Sequence, residues 1–431
     1  MADRQNTDRQ KNWLDHRDNA FSSIVFCAPL MAFFAPKGMI IIASLCFIFC
    51  FSLQRTNYTR PHPLPKIALV TLVLIFIWSA ISSLWALDMT AAILGTLKQL
   101  GVHGLGLLLL WNILNISKNN TNRVLTALFA GLVFTTILIA AEIIFFGPIY
   151  QFTKGIPRSS INFESGSGLF WLNSVAAVVS VLIWPISLWF FSISKKFIAY
   201  IIPLLGFLLA LWLSYRSGAV AIGIGILSAG FIALPSKRIR GILATLFAVM
   251  MITAPITMNQ LKPSQVIEEE SSLPKAALHR LMIWNFTAEK IREKPVFGWG
   301  MNAARNIPGG KNFIYDASNS KYGENLPLHP HNIALQVWLE LGLAGALLIT
   351  IFGFAILLSI CKDKKYTFIA SIAVGQFITG LGILSLSYGM WQSWWVASLY
   401  LSASLSVLVY RNKLMPKEQE TWARTSSTNL S

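Results

Sequence analysis

"HNIALQVWLELGLAGALLITIFGFAILLSI" occupies residues 331–360. The stretch holds one formal charge, Glu340, and no lysine or arginine. As a single helix, a run of this length crosses the roughly 30 Å hydrocarbon core of a bilayer. The same texture recurs on both sides of it. The chain of 431 residues is 55% apolar and only 12% charged, more apolar surface than a water-soluble fold can hide. Apolar runs suited to spanning lie at 21–36, 39–54, 67–87, 91–114, 124–146, 169–193, 197–213, 217–234, 241–258, 331–360, 366–384 and 388–410, the first two being short. The expected fold is an all-α polytopic membrane protein with about twelve transmembrane helices, which puts both termini on the same side.

Loop charge chooses the side, because cytoplasmic loops collect Lys and Arg. With the N-terminus inside, every inner segment is basic, from Arg55, Arg60 and Lys66 to Lys362, Lys364 and Lys365. The net charge of +17 therefore reflects topology, and a nucleic-acid partner is not expected. Residues 1–20 are polar and lack an apolar leader core, so they read as a flexible cytosolic tail. Spans one to nine fill 21–258, a large helical outer loop fills 259–330, spans ten to twelve fill 331–410, and a second cytosolic tail fills 411–431. Long segments translocate regardless of charge, so the basic residues of 259–330 do not disturb the orientation. No internal repeat is evident, and the long loop is off-centre, which weakens a transporter reading. Cys27, Cys46, Cys50 and Cys361 lie in or beside apolar spans and read as packing thiols.

This orientation gathers cations at the outer face. Arg216 lies in the turn "LSYRSGA", Arg280 in the loop helix 275–294, His331 at the start of span ten, and Arg158 in the second outer loop. Each has a plainer reading: Arg216 as a snorkelling side chain, Arg280 and Arg158 as solvated residues, and His331 as a helix cap. The helix stripe is expected on Ala277, Leu281, Trp284, Ala288 and Ile291, and Pro295 with "FGWG" ends it. His329, Pro330, His331 and Asn332 stand where a helix N-terminus favours anions and a neutral imidazole. His-x-His alone is a weak metal signal with no nearby acid, so no metal is expected. Glu340 lies on the opposite helix face from His331 and is expected to orient a neighbour. Lys98 is a further candidate cation for a headgroup, and His103 reads as a core residue. Tyr388, Trp391, Trp394 and Trp395 read as an interfacial aromatic belt, or as sugar-stacking faces.

A phosphate loop and an outer Asp-x-Asp pair are both missing from the sequence. What is present suits a metal-free displacement on a diphosphate: arginines for the leaving group and a histidine for the nucleophile's proton. The segments "SYRSGAV" (214–220), "HRLMIWNFTAEKIREKPVFGWG" (279–300) and "HPHNIALQVWLELGLAG" (329–345) resemble the O-antigen ligase family. That family shares a domain with O-antigen polymerases and some protein O-oligosaccharyltransferases.

The resemblance implies en bloc transfer of a glycan from undecaprenyl diphosphate to lipid A–core on the periplasmic face of the bacterial inner membrane. It implies inversion, no metal and no nucleotide. Arg216, Arg280 and His331 match the family's essential residues; Arg158, Lys98, His329, Asn332, Tyr388 and Trp391 are expected to bind substrate and membrane lipid. The region of the last outer turn has Ser385, Ser387 and Tyr388 but no acid, so no role is carried over there. A polymerase remains the runner-up, and a lipid or glycan transporter the alternative of a different class.

Overall fold

The computed structural model describes residues 2–51, 63–154, 171–233, 237–261, 274–315, 321–360 and 367–414. Apolar runs become helices because a helix closes its own backbone hydrogen bonds, which hydrocarbon cannot do for it. The first five are α1 (Ala2–Phe34), α2 (Met39–Cys50), α3 (Lys66–Ser82), α4 (Met89–Asn112) and α5 (Thr121–Ile144). A short α6 (Pro148–Lys154) precedes α7 (Asn173–Ser192), α8 (Lys196–Trp212), α9 (Arg216–Ala233) and α10 (Lys237–Asn259). The large segment contributes α11 (Lys275–Glu293) and a hairpin of β1 (Phe313–Tyr315) and β2 (Lys321–Glu324). Last come α12 (Ile333–Ile360), α13 (Thr367–Leu386) and α14 (Ser393–Val409).

Among the described residues, nine helices are long and apolar enough to cross a membrane. The runs expected at 39–54 and 197–213 form shorter apolar helices, Pro36–Cys50 and Lys196–Trp212, and the run at 21–36 is the end of α1. The centre is α7, whose residues from Val175 to Trp189 are all buried. Its Trp184 packs against Gly225 of α9 and Gly375 of α13, where small residues let helices approach closely.

The flexible tail expected at 1–20 is instead helical from Ala2 and runs straight into α1. Asp18 explains the anchoring. A buried carboxylate must be paired and hydrogen-bonded, and Asp18 is fully buried. Arg17 donates to its Oδ1 from Nε (2.9 Å) and Nη2 (2.7 Å), and Asn120 Nδ2 donates to Oδ2 at 2.8 Å. Arg17 Nη2 also donates to the Asn115 carbonyl at 2.8 Å, which ties α1 to the α4–α5 connection.

The large segment is only partly helical, since β1 pairs antiparallel with β2, Phe313 opposite Glu324. The buried stripe of α11 is Leu278, Met282, Ile283, Thr287, Ala288 and Ile291, rotated from the expected stripe. The rotation follows from two partners: α11 packs on both α10 and α12 rather than on one flat surface.

α12 is broken. Gly342 has φ 64° and ψ −161°, a region open essentially to glycine alone. The break frees carbonyls that a straight helix would use, and residues 295–300 take them up. Trp299 N donates to Leu339 O at 2.8 Å and Gly300 N to Glu340 O at 2.9 Å. In return Leu343 N donates to Pro295 O at 3.0 Å, and Trp78 Nε1 donates to Leu341 O at 2.9 Å. The "FGWG" turn thus lies inside the break, with Gly298 (φ 69°) too close to Glu340 O and Gly342 N to carry a side chain. Replacing Gly342 with alanine adds a Cβ against the Val296 carbonyl, so Gly342→Ala is expected to cost at least about 1–3 kcal/mol. A melt of the detergent-solubilised protein checks this; an unchanged midpoint refutes the interlock.

Candidate functional site

One end of the bundle collects the loops that carry the expected site. There the starts of α4, α9, α12 and α14 meet the ends of α3, α10 and α13, as the bonds from Met301 N to Ser82 Oγ and from Gln99 Nε2 to Trp391 O record.

His331 is not on α12, contrary to expectation. It sits two residues before Ile333 with φ 51°, and Asn332 caps the helix by accepting from Leu335 N at 3.2 Å. Trp284 of α11 holds the preceding residue, donating from Nε1 to Pro330 O at 2.9 Å. The His331 Nδ1 lies 2.6 Å from the Ser387 carbonyl. A carbonyl only accepts, so Nδ1 carries the proton and Nε2 is left as the basic nitrogen. Burial pushes the His331 pKa down to about 4; the Ser387 bond opposes this, while Arg280 and His279 add to it. Neutrality at pH 7 thus comes mainly from burial and only secondarily from neighbouring cations.

Arg280 completes this compartment. It is half-buried, and its Nη1 reaches only the Ala276 carbonyl, at 3.4 Å. Its Nε is buried without a hydrogen-bond partner among the described residues. Burial draws its pKa below the usual guanidinium value, and Tyr215 opposes that, yet a guanidinium stays charged at neutral pH. Tyr215 is buried beside it and donates to Ser387 Oγ at 3.1 Å. Ser387 therefore couples Tyr215 to His331, one through its hydroxyl and the other through its carbonyl. Arg216 follows Tyr215 as the first residue of α9 and is exposed.

His329 connects this compartment to a second one. Its ring centroid lies 4.2 Å from that of His331, and its Nδ1 accepts from the His331 backbone N–H at 3.2 Å. Burial, with His331 and Arg305, pushes the His329 pKa down to about 3. With that lone pair engaged, the two imidazoles are not arranged as a chelating pair. No group of three or more His, Cys, Asp or Glu stands together among the described residues.

The second compartment is a cavity of about 320 Å³ lined by Lys98, Gln99, Arg305, His329, Glu340 and Trp391, among others. Glu340 is buried at its floor and accepts from Trp391 Nε1 (2.6 Å), Asn302 N (2.8 Å) and Gln336 Nε2 (3.3 Å). Gln336 Oε1 in turn accepts from Met390 N at 2.9 Å. Glu340 is thus a positioning residue for two loops. Tyr388 lies at 3.3 Å from Ser174 Oγ and edge-on to Trp394, and burial pushes its pKa up to about 12. Trp395 is fully buried, so the four aromatics are not a membrane belt: two of them face the core or Glu340. His103, expected in the core, is partly buried, with its Nδ1 at 3.0 Å from Tyr400 Oη. Arg158 lies outside the described residues.

Sequence reasoning missed Ser387, Tyr215, Gln99 and Arg305. Tyr215 adjoins the singled-out Arg216, which was a usable signal. Ser387 acts through its main-chain carbonyl, a role any residue type can fill, and nothing in the sequence distinguishes Arg305 from other loop cations.

Residues 201–350 match the family model described as O-antigen ligase. This interval contains Arg216, Arg280, Arg305, both site histidines and Glu340. A provisionally named polysaccharide ligase of Rickettsia typhi is 31% identical over 255 residues, covering 57% of this chain and 61% of that protein. Another, from Rickettsia conorii, is 32% identical over 240 residues, covering 55% of this chain and 57% of its own length. The chain thus spans about three fifths of the length of these relatives.

Both histidines have folded-state pKa values below the unfolded value of roughly 6.5. The unfolded chain therefore binds more protons between that value and about 4, and stability falls as pH drops through this window. The double variant His329→Gln/His331→Gln is expected to flatten the dependence, read from melting midpoints at pH 7, 6, 5 and 4. An identical slope in variant and parent contradicts the buried, neutral assignment.

Proposed function

From the premise of an O-antigen ligase domain over residues 201–350, we propose that the protein transfers a preassembled glycan from undecaprenyl diphosphate to a sugar hydroxyl of lipid A–core. The site then faces the periplasm and both termini face the cytoplasm, as the loop charges favour. The supporting observation is a neutral imidazole with Nδ1–H committed to Ser387 O and Nε2 left as the basic nitrogen, near the half-buried Arg280 guanidinium.

In the reaction, the acceptor oxygen attacks the anomeric carbon as the bond to the diphosphate oxygen breaks. The hydroxyl proton passes to His331 Nε2. Arg280 and Arg216 stabilise the negative charge that grows on the departing diphosphate. Attack from the face opposite the leaving group inverts the anomeric centre. With its pKa lowered to about 4 by burial, His331 is by itself a weak base for a sugar hydroxyl. A bound diphosphate places negative charge close to the imidazole, which favours its protonated form and raises the His331 pKa.

Lipopolysaccharide extracted from a null strain carrying each variant tests the reading. His331→Ala, Arg216→Ala and Arg280→Ala are expected to insert normally and leave lipid A–core uncapped; capping by all three sinks it. A null strain that keeps a single repeat on the core identifies a polymerase instead. In a reconstituted assay, His331→Ala should lower the transfer rate by about a hundredfold or more. Tyr215→Phe should lower kcat several-fold with little change in donor KM, since it loosens Ser387 and leaves the arginines in place.

A further inference from the structure

His331 works from a backbone conformation that residues with side chains seldom adopt. Its φ is 51°, and a left-handed φ directly after a proline is ordinarily filled by glycine or asparagine. Glycine there would remove the imidazole, so neighbouring groups must hold the turn instead. Pro330 fixes its own φ through its ring, and Trp284 Nε1 donates to the Pro330 carbonyl at 2.9 Å. The His331 N–H donates to His329 Nδ1 at 3.2 Å. Asparagine makes the same bond in an Asx-turn, where a side chain accepts from the backbone N–H two residues on. Imidazole Nδ1 and asparagine Oδ1 both stand one bond beyond Cγ, so the δ position is what the turn uses.

A second contact ties the same side chain to the loop that receives His331. His329 is 6% exposed, and a Cβ on Gly389 would stand 2.9 Å from its Cγ and 3.0 Å from its Cδ2. The loop after α13 therefore lies directly on the ring. Two residues before Gly389, that loop supplies the Ser387 carbonyl, 2.6 Å from His331 Nδ1. His329 thus touches both ends of the His331–Ser387 bond: the backbone from which the imidazole projects, and the loop that accepts its proton. We propose that His329 is a positioning residue for His331, its Nδ1 holding the left-handed turn from which His331 reaches Ser387, rather than a substrate ligand. What His331 then does rests on the glycan-transfer reading; how His329 holds it does not.

Two amide substitutions separate the nitrogens of His329. His329→Asn keeps an acceptor at the δ position, with the Cγ and second δ atom that lie against Gly389, and has nothing at ε. His329→Gln keeps polar atoms at ε and loses the δ acceptor. The orientation of His331 is read without turnover from the rate at which diethyl pyrocarbonate modifies it, followed by mass spectrometry on the full-length protein in nanodiscs at neutral pH. His329→Ala and His329→Gln are expected to raise this rate about threefold or more as the imidazole leaves the Ser387 carbonyl, with His329→Asn close to the parent. In transfer assays the same two variants should lower kcat about tenfold or more with little change in donor KM, and His329→Asn should recover most of the loss. The proposal is overturned if His329→Gln matches the parent, if His329→Asn is as impaired as His329→Ala, or if the loss falls on KM, which marks a substrate ligand. Parent-like transfer by His331→Ala would discard the base assignment, while the modification rates would still decide whether His329 holds the turn.

Discussion

The break in α12 at Gly342 is the constraint from which the site is built. Hydrocarbon tolerates an interrupted helix only where protein satisfies the freed backbone groups. Here the strap at 295–300 does so, taking the carbonyls of Leu339 and Glu340 and lending that of Pro295 to Leu343. The exchange fixes the strap, and with it the end of α11 and the turn carrying Asn302 and Arg305. It also fixes the last turn before the break, where Glu340 reaches Trp391 and Asn302. Loops distant in sequence acquire defined positions because one helix forgoes its own hydrogen bonds.

Charge balance distinguishes the two compartments that result. In the first, burial keeps the histidine neutral beside a guanidinium whose Nε has no partner among the described residues. In the second, Glu340 is saturated by internal donors, and Lys98 and Arg305 face the cavity. Cations thus line both compartments, and the one acid of the second, Glu340, is engaged by protein donors, an arrangement that favours anions in a low-dielectric site. The Ser387 carbonyl supplies the orientation that an acidic partner often gives a catalytic histidine. It fixes the tautomer without adding a negative charge that would compete with an anionic substrate.

The all-α membrane fold was legible from residues 331–360 and their counterparts along the chain, because hydropathy and length are local properties that a bilayer reads segment by segment. Arg216, Arg280, His329 and His331 were legible too, since polar groups at the ends of apolar runs stand out against them. The anchoring of α1 at Asp18 was not, because it depends on Asn120, which lies far away in sequence. The true stripe of α11 escaped for a similar reason: two packing partners, and not periodicity, choose its face.

Sequence alone therefore determined that the apolar segments are helical and which side chains are too costly to bury without purpose. Only the tertiary structure decided that α12 breaks, that His331 stands before the helix rather than in it, and that Ser387 and Tyr215 hold the site in place. Hydrophobic patterning acts along a segment, whereas a main-chain carbonyl or a strap inserted into a helix acts through hydrogen bonds between segments that no residue type announces.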